Sequence, residues 1–263
     1  EHDSAEIARE DRAETRLSIA AYGFKMEPAD WFEPPPEAAW RAAQELLVGL
    51  GALTEQGALS DLGRRMANKP VHPRLSRLVF EAQARGAGAS ACLLAAMLGE
   101  RDVLLSARTR FDRQGSDAQV GRSDLVHRLE LIEAVGDDRN GSRLRAHGLD
   151  QGAVNASQRT SERLLRLFDA HDDYALNDLQ REEVLLMATC AGFFDRVAKR
   201  RTPNGANVVF ARGGSASMSE SSVVRDAEYL VVVDAREAKG KSRDVVAYLA
   251  SAIEPEWLLE LFP

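Results

Sequence analysis

At 263 residues and 44% hydrophobic content the chain can hold one large packed domain or two to three small ones. Its longest apolar stretch, Ala89 to Leu98, is about half of the roughly 20 residues a membrane helix needs. Against 34 Lys and Arg stand 41 Asp and Glu, a net charge of −7, which excludes a surface coated with phosphate-binding groups and leaves room only for local basic clusters. Cys92 and Cys190 stand singly in apolar surroundings, without the paired spacing of a zinc site or a disulfide framework, and read as buried thiols in a reducing cytoplasm.

The first residues are acidic, with Glu1, Asp3, Glu6, Glu10, Asp11 and Glu14, and lack the basic and apolar regions of a secretion signal. Residues 4–22 read as an amphipathic helix carrying Ile7, Leu17 and Ile19, ended by Gly23. Pro28 and Pro34 to Pro36 mark a connection, and Pro36 suits the first turn of a helix that holds Trp40, Leu46 and Leu47. That helix runs into Gly51, and Gly57 permits the turn of a small wing. Ser60 or Asp61 caps the next helix, with Leu62 and Met66 on one face, which stops before Pro70. His72-Pro73 opens another, whose expected apolar face is Leu75, Leu78 and Val79, with Arg74 and Arg77 toward water.

From Ala87 to about Leu176 the period stays helical. Residues 89–105, 123–135 and 155–170 each carry one apolar stripe, with Ser123-Asp124 and Ser157 as caps and 137–150 as a connecting loop. Another helix spans Leu179 to Ala191 and stops at Gly192. The texture then turns to β. Short strands in RVAKRR, ANVVFA, SMS, AEYLVVVDA and RDVVAYLASAI alternate with turns at Pro203-Asn204-Gly205 and Gly213-Gly214, the pattern of a small barrel, and EPEWLLELFP opens a last helix.

Few residues offer chemistry. Ala235 to Ser242, AREAKGKS, follows a strand and ends in Gly-Lys-Ser, but Ala235 replaces the first glycine of a phosphate-wrapping loop, so it reads as a charged hairpin. His2, His72, His127, His147 and His171 never fall at metal-ligand spacing. Asp137-Asp138 and Asp172-Asp173 sit in turn-rich loops, where Asp serves backbone hydrogen bonds. Two basic clusters stand out from solvated surface charge. Arg101, Arg108, Arg110 and Arg113 form one; Arg196, Lys199, Arg200 and Arg201, with Arg212 nearby, form the other.

The stretch from Leu46 to Phe80, with GALTEQGALSDLGRRMANKPVHPRL at its heart, resembles the start of the accessory C-terminal region of DEAH-box helicases, most closely the bacterial HrpB type. FFDRVAKRR at 193–201 is similar to the FPDRVARRR run of that family's OB-like domain, with Phe194 standing where the family commonly has Pro. The resemblance implies a multidomain α+β chain: a helical connector at 1–35, a winged helix at 36–86, an all-helical ratchet-like module at 87–192 and a small, truncated OB-like β-barrel at 193–263. In that family ATP and magnesium are bound by two RecA-like motor domains, and no complete Walker A or Asp-Glu-Ala-His motif occurs in this sequence. By resemblance the partners are those motor domains of the same polypeptide and single-stranded RNA or DNA, for a cytoplasmic monomer bound to no membrane. The expected strand-binding residues are Phe194, Arg196, Lys199, Arg200, Arg201 and Arg212, with Phe193 either beside them or in the barrel core. Catalytic, cofactor and metal residues are expected to be absent. The HPRL segment at 72–75 reads as architectural, with Leu75 plugging the winged-helix core. Two other classes remain at this stage: a winged-helix regulator docking residues 73–85 on duplex DNA through Arg74, Arg77 and Arg85, and a protein-interaction scaffold using the acidic N-terminal helix.

Overall fold

A computed structural model describes residues 12–24, 31, 34–105, 120–136, 140–237 and 245–262. The acidic residues 1–11, Pro28, the basic segment with Arg108, Arg110 and Arg113, the Asp137-Asp138 pair and the Ala238 to Asp244 stretch lie outside them. By its internal contacts the chain divides into two units, Glu1–Arg77 and Leu78–Pro263.

In the first unit α1 (Ala13–Ala21) packs on α2 (Glu37–Gly49). Arg16 makes that contact. Its guanidinium lies 4.5 Å from the Trp40 ring centre and donates to the Trp40 carbonyl at 3.1 Å, while Trp31 meets the same ring edge-on at 5.4 Å. Beyond α2, Gly51 takes a φ of +71°, and Leu53 bridges Leu59 across a turn in which Gly57 has a φ of +81°. This is the expected wing. Ser60 caps α3 (Asp61–Ala67): its hydroxyl accepts from the Gly63 amide at 2.8 Å and donates to the Gly51 carbonyl at 2.6 Å. Gly63 is required by a close approach, since a Cβ there would stand 2.0 Å from the Ala52 carbonyl oxygen.

Helix α4 (Pro73–Ala84) begins at the HPRL segment, and the His72 ring accepts the Arg74 amide through Nδ1 at 3.2 Å. Here two expectations fail. Leu75 is only half-buried, whereas Arg74 and Ser76 are buried, and Arg77 is half-buried with its guanidinium 3.3 Å from the Leu50 carbonyl. The helix is therefore turned so that its start presents polar atoms inward, and its apolar burial comes from Leu78, Val79 and Phe80.

In the second unit α5 (Gly88–Gly99) packs along α8 (Gln151–Phe168), and α6 (Asp124–Val135) and α9 (Asp178–Gly192) complete the helical layer. The Asp172 carboxylate accepts the Ala89 and Ser90 amides at 2.7 and 3.1 Å, so it serves the first turn of α5 as a loop aspartate should. Residues 137–150 are not all loop: α7 (Gly141–Ala146) lies there, capped by Asn140, whose side chain accepts from the Arg143 amide at 2.9 Å. Helix α8 also starts four residues earlier than its apolar stripe. Asp150 caps it at 2.8 Å from the Ala153 amide, and Ser157, the expected cap, is buried inside it.

A 3-10 turn at Phe194–Arg196 leads into β1 (Val197–Arg200), β2 (Asn207–Phe210), β3 (Ser215–Met218), β4 (Tyr229–Glu237) and β5 (Val245–Ala252), followed by α10 (Pro255–Leu261). The strands close into a barrel in the order β1-β2-β3-β5-β4, antiparallel except for β3 against β5. Small and branched side chains, among them Ala198, Val208, Ala216, Leu230, Ala247 and Ala250, fill it.

The barrel is clamped to the helices by Asp124. This buried carboxylate accepts from the Ser222 hydroxyl, the Val223 amide and the Ala250 amide, each at 2.8 Å, beside a 2.7 Å contact between the Ser123 and Ser251 hydroxyls. Burial pushes the Asp124 carboxyl above the usual range, and those three donors hold it down in part.

Candidate nucleic-acid interface

The barrel exterior is set by β1. A strand turns successive side chains to opposite faces, so Ala198 and Arg200 point inward while Val197 and Lys199 point outward. Lys199 sits between Val209 on β2 and Tyr229 on β4 in register, and Val209 in turn pairs with Ser215 on β3. A row Ser215, Val209, Lys199, Tyr229 thus crosses four strands. The ammonium of Lys199 lies 5.0 Å from the Tyr229 ring centre and 3.0 Å from the Glu228 carboxylate; Tyr229, then Glu228, hold its pKa above the usual lysine range.

At one end of β1 the exposed Arg212, on the β2–β3 turn, places its guanidinium 5.4 Å from the ring centre of Phe194, whose other neighbour is Phe262 at 5.3 Å. At the other end Arg201 is exposed, with its backbone amide held by the Asn207 carbonyl at 2.9 Å. Along the length of β1 the chain thus offers one cation over an aromatic ring, a second cation beside a tyrosine, and a third at the strand's exit. The arrangement can neutralise phosphates and stack bases without reading base edges.

Two of the expected residues serve the barrel itself. Arg200 is buried, and its guanidinium donates to the carbonyls of Ala227 (2.9 Å), Val224 (3.0 Å) and Gly205, so it is removed from the strand-binding set. Burial pushes its pKa below the ordinary arginine value. Arg196 is half-buried, donates to the Val233 carbonyl at 2.7 Å and lies 5.5 Å from the centre of the Phe193 ring, which ties the 3-10 turn to β4. Phe193 is buried and belongs to the core.

Sequence reasoning missed Tyr229 and Glu228. The available signal was the alternation in EYLVVVDA, which sets Tyr229 outward from Leu230. A second pair of this kind, Arg236 at 6.0 Å from the Tyr248 ring centre, stands on β4 and β5, with Arg236 also bound to Asp234 at 2.9 Å.

Residues 43–71 match the family described as the helicase associated domain (HA2), winged-helix. Over 265 residues the chain is 26% identical to the pre-mRNA-splicing factor ATP-dependent RNA helicase prp22 of Schizosaccharomyces pombe, a match over 98% of this chain and 22% of that protein. It is 27% identical to the probable ATP-dependent RNA helicase DHX35 homolog of Caenorhabditis elegans, over 98% of this chain and 36% of that one. The chain is thus similar over nearly its whole length to part of two ATP-dependent RNA helicases, and its residues 43–71 to a helicase-associated winged helix. The crystal structure of the E. coli DExH-box NTPase HrpB matches 100% of this chain with 27% of its own length, at a TM-score of 0.66 and 21% identity; at that identity the likeness speaks for the fold. The chain therefore spans 22–36% of the length of the relatives it matches.

The three arginines of the expected duplex-docking helix are turned to contacts within the fold. Arg74 is buried, Arg77 is half-buried, and Arg85 is engaged by Glu81 at 2.9 Å and Glu260 at 2.8 Å. The Gly-Lys-Ser at 240–242 lies outside the described residues; the strands on either side of it, β4 and β5, pair antiparallel from Glu237 and Val245. Among the described residues no helix is long and apolar enough to cross a membrane, and no three His, Cys, Asp or Glu side chains converge on a metal position.

Proposed function

We propose that this accessory region belongs to an ATP-dependent RNA helicase in which it forms one wall of the single-strand path. The winged helix (36–86), the ratchet-like module (87–192) and an OB-type barrel (193–263) would couple strand advance to a motor that binds ATP and magnesium elsewhere in the polypeptide. The chain alone would turn over no ATP. The similarity to the ATP-dependent RNA helicase prp22 and to the probable ATP-dependent RNA helicase DHX35 homolog supports an RNA helicase, proposed here as a cytoplasmic monomer.

The observation that carries the strand-binding part is the outward row on β1, where Lys199 lies against Tyr229 while Arg212 lies over Phe194. Cations held over or beside aromatic rings leave donor groups toward solvent, and the faces of Tyr229 and Phe194 add stacking that tolerates any base. Strand order supports an OB-type barrel, since a closed five-stranded sheet with one parallel pair is how that fold presents such a face.

The test is fluorescence anisotropy with labelled rU and dT oligonucleotides against the parent and the triple variant Lys199→Ala, Arg201→Ala, Arg212→Ala. The expected outcome is weak binding by the parent, lost about equally for both oligonucleotides in the variant, with the slope of log K on log salt reduced by roughly 2, about 0.7 per phosphate contact removed. Unchanged affinity and slope in a variant that melts like the parent would remove the barrel face from the path.

A further inference from the structure

Helices α6 and α9 diverge enough to leave a groove of about 290 Å³ on the surface of the second unit. Its lining falls at positions 126, 129, 130 and 133 of α6 and at 178, 181, 182 and 185 of α9, the i, i+3, i+4, i+7 stripe of each helix. Two stripes facing one gap are what a third helix would fill. The floor is apolar, with Val126, Leu129 and Leu185 all buried, while Glu130, Glu133, Asp178 and Glu182 stand along the rim.

The rim is negative beyond what its own cation offsets. Four carboxylates against Arg181 leave −3, and Arg181 is already committed to both oxygens of Glu133 at 2.7 and 2.9 Å, with Asp178 at 3.8 Å. Burial, then repulsion from Glu182 and Glu133, pushes the Glu130 carboxyl above its usual range, so its charged form gains from a cation brought beside it. A bare metal ion does not meet the need, because no three ligand side chains converge among the described residues. A drug-sized ligand is also a poor match, since the volume falls just under the roughly 300–1,000 Å³ such pockets occupy.

We propose that the α6–α9 groove is a docking site for a basic amphipathic helix of a partner protein. Two or three aliphatic side chains of that helix would enter the groove, and Lys or Arg beside them would meet Glu130 and Glu182. Apolar anchors at one helical stripe flanked by complementary charge are how grooves of this kind select a helix. The site is independent of the barrel face, so it stands or falls apart from strand binding.

The probe is a fluorescent peptide of about fifteen residues, four helical turns, with Leu at i, i+3, i+4 and i+7 and Lys elsewhere. The controls are the same composition in shuffled order and a version with Glu for Lys. The periodic Leu/Lys peptide should bind the full 263-residue chain, resist displacement by an oligonucleotide, and bind Glu130→Lys/Glu182→Lys at least about tenfold more weakly, with Glu162→Lys/Glu256→Lys unchanged within about twofold. Ala134→Arg, on the exposed rim, should block the groove without disturbing the fold, and serves if the double reversal melts early. Equal binding of the shuffled peptide, or equal loss in the two charge-reversal pairs, would reduce the effect to non-specific attraction to an acidic protein and overturn the proposal.

Discussion

Lys199 and Arg200 are adjacent basic residues that the pleat of one strand sends to different solvents. Lys199 faces water beside Tyr229, while Arg200 enters the barrel end and donates to three backbone carbonyls. Replacing Arg200 with Ala removes three hydrogen bonds from a charged group and opens a void, a loss of about 2–4 kcal/mol. Lys199→Ala should leave the urea midpoint where it was and weaken strand binding instead. Melts of the two variants side by side decide the matter, and a larger stability loss for Lys199→Ala would mean that the two side chains had been assigned to the wrong faces. The distinction was available in the sequence, because Ala198 and Arg200 share a face at period two, yet four basic residues within six positions read more readily as one surface cluster. Arg74 and Leu75 repeat the lesson on a helix. Hydropathy alone sends leucine in and arginine out, whereas α4 buries Arg74 and leaves Leu75 half-buried.

Among elements, the ones with a long apolar stripe were legible and the short ones were not. The eighteen residues of α8 announce themselves, but the start of that helix is fixed by Asp150, and the polar residues between Asp150 and the stripe hide it. Helix α7 has six residues, less than two turns, so no periodicity could reveal it; Asn140 three residues ahead of Arg143 was its only mark. Ties between elements are likewise set by single side chains. Asp102, from the segment after α5, receives Arg128 of α6 through two bonds of 3.0 and 2.9 Å. Burial raises the Asp102 pKa, but the hydrogen bonds and charge of Arg128 outweigh it and leave the carboxyl below the usual range. A depressed carboxylate contributes stability above its unfolded pKa and loses it as pH falls through the folded one. With Asp102 about half exposed, the contribution is about 1 kcal/mol or less. Asp102→Asn should therefore melt slightly below the parent at pH 7, and the gap should close below about pH 4. A gap that stays constant down to pH 3 would show that the pair is not what distinguishes the two proteins.

For the whole molecule, the family was the most legible feature and the chemistry the least. Leu46 to Phe80 carries a spacing of glycines, prolines and a capping serine that one arrangement of helices and wing requires, and the structure supplies the reason at Gly63, where nothing larger fits beside the Ala52 carbonyl. No comparable constraint marks a surface that binds a strand, because phosphate contacts ask only for positive charge in the right place. The Gly-Lys-Ser at 240–242 shows the same limit from the other side: three residues suggest a nucleotide site, whereas the strands that flank them pair antiparallel. β4 and β5 pair antiparallel from Glu237 and Val245 back through Leu230 and Ala252, whereas a phosphate-wrapping loop leads from a strand into a helix whose amides gather the phosphate. The purified chain should thus show no ATP turnover above a protein-free blank, with or without single-stranded RNA. Steady-state phosphate release measures it. Turnover that follows the protein through purification and disappears in Lys241→Ala would mean that residues 238–244 form a nucleotide site, and the assignment of this region as an accessory to a separate motor would fall with it.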